Sequence, residues 1–142
     1  MANPNNLYNQ SLTIIEEIIP GETDEDILQR IGNELFAHQF IGVYASNEIK
    51  NIKMNNNDMA IVNLARRGQQ GSHWVGIVKV KHRSIIYDSY GRNSDGFRFN
   101  IPLRTDTEYD PEQTLNEENC GARVLAWLWT FYRLGANASL MI

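Results

Sequence analysis

Cysteine is nearly absent: Cys120 is the single one in 142 residues. That excludes an internal disulfide and a cysteine-based zinc site, fits a reducing compartment, and leaves an isolated thiol whose role must be read from its neighbours. No apolar run approaches the roughly 20 residues of a membrane span. The opening Met1-Ala2-Asn3-Pro4-Asn5-Asn6 lacks the basic, apolar pattern of a signal peptide, so a soluble chain, unprocessed at that end, is the expectation. Basic residues are in deficit, 13 against 17 acidic, giving a net charge of -4. Sequence-independent nucleic-acid binding therefore has no global electrostatic support, and DNA binding is not expected. Collagen-like repeats, disordered tails and internal repeats are missing too. What is present is a chain 42% hydrophobic, enough for one domain with a real core over residues 1–142.

Leu12, Ile15, Ile18 and Ile19 recur at near-helical spacing ahead of Pro20-Gly21, which predicts a short amphipathic helix and its stop. Thr23-Asp24-Glu25-Asp26 reads as a capped start for a second helix, with Ile27, Leu28, Ile31, Leu35 and Phe36 on its buried face and an end near His38. Phe40-Ile41-Gly42-Val43-Tyr44 has the composition of a strand, and Asn55-Asn56-Asn57-Asp58 that of a turn. Met59 to Leu64, Trp74 to Val80 and Ser84 to Asp88 predict three consecutive strands, with Lys79, Lys81, His82 and Arg83 at a solvated basic turn. Gly91 to Phe99 and Asp110 to Asn119 read as loop. Gly121 to Tyr132 is apolar on nearly every side, the mark of a buried helix. The order predicts an α+β fold: a small mixed or antiparallel sheet packed on a central buried helix.

Cys120 stands directly before that helix, with Asn119 as its cap and Gly121 letting the chain turn. A sulfur there feels the positive end of the helix dipole, which favours thiolate, and the unpaired first-turn amides can bind a developing oxyanion. The competing reading is a buried, inert cysteine. His73-Trp74 opens an apolar strand and Asp88 closes the next, a separation that brings both to one edge of an antiparallel pair. Asp88 can then accept from one ring nitrogen of His73 and fix the tautomer that faces a nucleophile. His73 as a structural histidine and Asp88 as a turn residue are the plainer alternatives. Gln113, seven residues before Cys120, offers an amide to an oxyanion, a donor worth about 3 kcal/mol, although polar loops are full of such residues.

The run Ala60-Ile61-Val62-Asn63-Leu64-Ala65-Arg66-Arg67-Gly68-Gln69-Gln70-Gly71-Ser72-His73-Trp74 resembles the segment of the adenovirus maturation protease family that ends in its catalytic His-Trp. Phe40-Ile41-Gly42-Val43-Tyr44 is similar to that family's Phe-x-Gly-x-Tyr/Phe segment. Tyr87-Asp88-Ser89-Tyr90-Gly91 falls where its acidic residue and following turn stand, and Gln113 with Cys120-Gly121 completes an ordered set shared with the SUMO and ubiquitin-like-protein proteases. The resemblance covers about residues 35 to 132. It implies His73 as general base, Asp88 as its orienting partner, Gln113 as oxyanion donor and Cys120 as nucleophile, with Trp74 and Asn63 lining the substrate cleft and no metal or other cofactor. Asp88 replaces the Glu of the adenovirus enzymes, and the wider superfamily uses Asp.

Those implications define a cysteine endopeptidase acting on polypeptide substrates, with capsid precursors and virion maturation as the expected context, in a virion or an infected cell. An activating peptide would have to bind non-covalently, since no second cysteine exists to tether it. A deconjugase of ubiquitin-like proteins is the alternative. An acetyltransferase on the same fold and an inactive binding module are the more distant ones, because fold alone does not settle function.

Overall fold

Asn3 and Pro4 begin the first helix well upstream of its apolar stripe. The computed structural model, which describes residues 3–68, 73–94, 97, 101, 103–108, 111–114 and 117–142, has helix α1 at Pro4–Ile18, with the Asn3 side chain accepting from the Asn5 and Asn6 amides. Proline at the first helical position loses no internal bond, so the two residues together start the helix cleanly. α1 buries Tyr8, Leu12 and Ile15. Ile18, expected on the buried face, is instead 65% exposed, because Ile15 and Ile19 already occupy the line that meets the core. Helix α2 (Glu25–Phe36) is capped as expected: Asp24 accepts from the Ile27 amide at 2.9 Å, with Glu25 and Asp26 in the first turn. A single tight turn, Ala37–Gln39, carries the chain into the sheet.

The sheet has five strands in sequence order: β1 (Phe40–Ala45), β2 (Met59–Asn63), β3 (Trp74–Val80), β4 (Arg83–Tyr87) and β5 (Arg104–Asp106). β1 with β2 and β4 with β5 are parallel, while β2–β3 and β3–β4 are antiparallel, so the sheet is mixed. β5 has no apolar pattern in its three half-buried residues and is not read from the sequence. Residues 95, 96, 98 and 99 of the loop expected at 91–99, and 110, 115 and 116 of that at 110–119, lie outside the described residues, as do 69–72 of the segment before His73.

Both faces of the sheet are covered, which is why its central strands are apolar runs rather than alternating ones. Met59, Ile61, Val78, Ile85 and Tyr87 face the helices, in one cluster with Leu28, Phe36, Val124 and Trp127. Ala60, Val62, Val75, Ile77 and Ile86 face the other way and pack with Ile49, Ile41, Tyr44 and Ile101. Helix α3 (Cys120–Leu134) is buried from Gly121 through Leu128 and lies against the sheet, flanked by α1; the short α4 (Ala136–Leu140) follows it. Trp127 stacks on Tyr87 with ring centres 5.2 Å apart and planes 11° from parallel, and its indole N–H donates to the Ser139 carbonyl at 2.9 Å.

The slot for that indole exists because β3 has glycine beneath it. A Cβ on Gly76 would lie 2.8 Å and 2.9 Å from two Trp127 ring carbons and 3.1 Å from Val124. With Trp127 fixed on both sides, Gly76→Ala is expected to cost about 1–3 kcal/mol of stability, the range for overpacking a core. Denaturant melts would measure it, and an unchanged midpoint would show that α3 can move away from the sheet.

Candidate active site

β3 and β4 form a hairpin in the register Gly76↔Tyr87, so the residue before one strand and the residue after the other meet at a single sheet edge. These residues are His73 and Asp88, both buried. The His73 carbonyl extends the β2–β3 pairing by accepting from the Leu64 amide at 2.9 Å, which anchors the backbone under the ring. The His73 Nε2–H donates to Asp88 Oδ1 at 2.7 Å, since a carboxylate can only accept. Asp88 also accepts from the Tyr90 amide at 3.0 Å and from Arg92 Nε at 2.6 Å. Burial works to raise the Asp88 pKa, but the bonds from His73 and Arg92, the His73 charge and the Tyr90 amide outweigh it and hold the carboxyl below its ordinary value.

The Cys120 thiol, half-buried at the start of α3, lies beside the His73 ring on the lining of one cleft, close enough for the ring to act on its ionisation. With Nε2 committed to Asp88, Nδ1 is the ring nitrogen left to serve the sulfur. Burial favours the neutral thiol, yet the His73 bond, the Trp74 amide, the His73 charge and the Gly121 amide together bring its pKa below the ordinary value. His73 shifts in the complementary direction. Burial favours its neutral form, and the bonds to Asp88 and Cys120 with the charges of both raise its pKa. Both shifts favour a thiolate beside an imidazolium, the state in which cysteine is a nucleophile at neutral pH.

The sulfur opens on a cleft of about 360 Å³ whose lining includes His73, Trp74, Asn63, Thr23, Glu118 and Arg67. Asn63 and Trp74, pointed to by the resemblance, thus stand in the wall of the cleft, and Trp74 also packs on the helical core. Gly121 lets the first turn of α3 come up against α2. A Cβ there would sit 2.4 Å from Thr23 Cγ2, so no side chain fits without displacing that wall. The opposite wall is tied to α2 by Arg67, which bonds both oxygens of Glu25 at 2.8 and 3.0 Å and reaches Glu48 at 2.8 Å.

Gln113 is buried beside the pair rather than in the cleft wall. Its Nε2 donates to the Glu117 carbonyl at 2.8 Å and to the Tyr90 hydroxyl at 3.3 Å, while its oxygen accepts from the Ser89 hydroxyl. Asn119 holds the cap position of α3 but makes no side-chain cap bond. Opposed charges pull its amide elsewhere: Nδ2 donates to Glu16 Oε1 at 2.8 Å and Glu117 Oε2 at 3.1 Å, and Oδ1 accepts from Arg123 Nε at 3.1 Å.

Sequence reasoning missed three contributors. Tyr90 stacks on His73 with ring centres 4.7 Å apart, Arg92 pairs with Asp88 and lies 5.2 Å over the Tyr90 ring, and Arg123 bonds Tyr8, Glu117 and Asn119. Only Arg123 left a signal, as the single charge inside Gly121–Tyr132, because an arginine in a buried helix needs partners. Among the described residues no group of three or more His, Cys, Asp or Glu is placed to hold a metal ion, and no helix is long and apolar enough to cross a membrane. No protein-family model matches the sequence, and no curated protein matches it.

Proposed function

We propose that this protein is a cysteine endopeptidase, with an adenovirus-protease-like form of the α+β fold. The observation that carries the reading is the hydrogen-bonded pair Asp88–His73, with the His73 ring beside Cys120 on the lining of one open cleft. The Cys120 thiolate attacks a peptide carbonyl carbon and the carbonyl electrons move onto oxygen. His73, holding the proton from the thiol, gives it to the leaving amine as the C–N bond breaks, leaving a thioester. Water then attacks the thioester, His73 takes its proton, and the acid departs as the thiol re-forms. Asp88 keeps the imidazole in the required tautomer and stabilises its charge. Gln113, which lies outside the cleft wall, joins the Cys120 amide as an oxyanion donor by turning toward the cleft the hydrogen now on its longer bond, that to Tyr90.

The resemblance supports protein precursors, capsid proteins among them, as substrates. Deconjugation of ubiquitin-like proteins would use the same chemistry and is separated from precursor processing by which substrate is cut. The test is product identity by mass spectrometry, with precursor proteins and acetyl-coenzyme A present together. New protein termini are expected, often after a small residue such as glycine, and with any activating peptide they should form equally in reducing agent. Acetylated Ser, Thr or Lys without new termini would instead establish a transferase, and neither product across several precursors would leave a binding module.

A further inference from the structure

An asparagine at the cap position just before a helix ordinarily turns its side chain onto the amides of the first turn. Asn119 does not, and its hydrogen-bonding groups are engaged elsewhere: both Nδ2 hydrogens go to Glu16 and Glu117, and Oδ1 accepts from Arg123. The three partners come from separate places, α1, the segment before the helix and the helix itself. Arg123, only 9% exposed, is fixed in turn by Glu117 at 3.0 Å and the Tyr8 hydroxyl at 3.1 Å. Glu117 also receives, at its carbonyl, the Gln113 amide, so one bridge holds both the helix end and the Gln113 arm. We propose that Glu16, Glu117 and Arg123 are positioning residues that hold Asn119 off the end of α3, reserving its first-turn amides for the Cys120 thiolate and the oxyanion. The inference rests on Cys120 being the nucleophile.

A merely structural bridge and a cap-withholding one differ in what happens to the thiol. Without its shortest bond, that to Glu16, Asn119 is held only by the two 3.1 Å bonds to Glu117 and Arg123, and its oxygen can exchange Arg123 for a first-turn amide and compete with the sulfur, so thiolate becomes less favoured. Removing the Glu16 charge by itself acts in the opposite direction, because a nearby negative charge disfavours thiolate. The sign of the change therefore separates the two effects. The other charged groups around the sulfur are left in place: His73 just before β3, Glu118 before the helix, and Glu22, Asp24 and Glu25 across the cleft with Arg66 and Arg67.

The experiment is the rate of iodoacetamide alkylation against pH in the intact protein, where Cys120 is the sole thiol, with thermal melts to verify folding. Glu16→Ala is expected to raise the midpoint by about half a pH unit, the scale of a helix-end interaction. Glu16→Gln, which still accepts from Asn119 but lacks the charge, should leave the midpoint at or slightly below the native one. In an Asn119→Ala background, where no amide remains to compete, Glu16→Ala should no longer raise it. A midpoint that stays or falls in folded Glu16→Ala, or a rise that persists without the Asn119 side chain, overturns the proposal. Failure of the nucleophile reading has a separate signature: a native midpoint near 8.5 that His73→Ala does not move, which would overturn both.

Discussion

Cys120→Ala is expected to abolish precursor cleavage, with a fall of about 10⁵–10⁶ in kcat, while the protein remains folded. The loss is near total because covalent catalysis has no substitute in a chain with one thiol. The folding cost is small because the change deletes one half-buried atom at a helix start, leaving Gly121 packed on Thr23 and the bridge around Asn119 intact. Gln113→Ala should be milder, about 10²–10³ in rate, the cost of one oxyanion donor. The measurement is the initial rate of product formation by mass spectrometry beside a thermal melt. Cleavage that persisted in purified Cys120→Ala would assign the activity to another group.

The next largest effect is expected from Asp88→Asn, about 10⁴ in kcat. Asn presents an amide hydrogen to Nε2, which must then accept, so the ring proton moves to Nδ1 and the nitrogen left to serve Cys120 can no longer take the thiol proton. The thiol midpoint should rise toward 8.5 as the imidazolium loses its carboxylate. Stability carries a second signature. The Asp88 carboxyl is held below its ordinary 3.8, so its contribution is present above that pH and is lost as pH falls through the lower folded value. Asp88→Asn should lack this acid-side loss. His73 works in the other direction: its folded pKa is raised above 6.5, so what its charged form contributes is full below 6.5 and is lost as pH rises through the folded value. Urea midpoints across pH 2–9 would show both legs, and an acid leg unchanged in the variant would remove Asp88 as its source.

The long elements were legible because their signals were strong and local. The Asp24 cap, the stripe Leu28, Ile31, Phe36 and the all-apolar α3 each predicted the observed helix, and β2 to β4 stood out as β-branched runs between turns. His73 and Asp88 could be paired in advance because a hairpin returns its ends to one edge. β5 could not, since three half-buried polar residues on an edge strand owe their conformation to β4 rather than to any pattern of their own. Asn119 was legible as a cap by position, but its charged partners lie 103 residues before it and within four residues on either side, and only the long-range one needed the fold. Tyr90 and Arg92, in a segment readable only as a turn, act through stacking and a carboxylate that the fold alone brings within reach.

The register of the β3–β4 hairpin has a consequence for the order in which the molecule assembles. Residues 76 to 87 pair across a tight turn, a contact between chain neighbours that forms with little loss of loop entropy and brings His73 and Asp88 together early. The bonds that seat the thiol's helix close spans of 103 residues from Glu16 to Asn119 and 115 from Tyr8 to Arg123, the slow kind of contact. Base and carboxylate are thus expected to meet well before the sulfur joins them. Until that last docking step, a half-folded chain would carry an ordinary thiol and an ordinary imidazole, and would be no hazard to its neighbours.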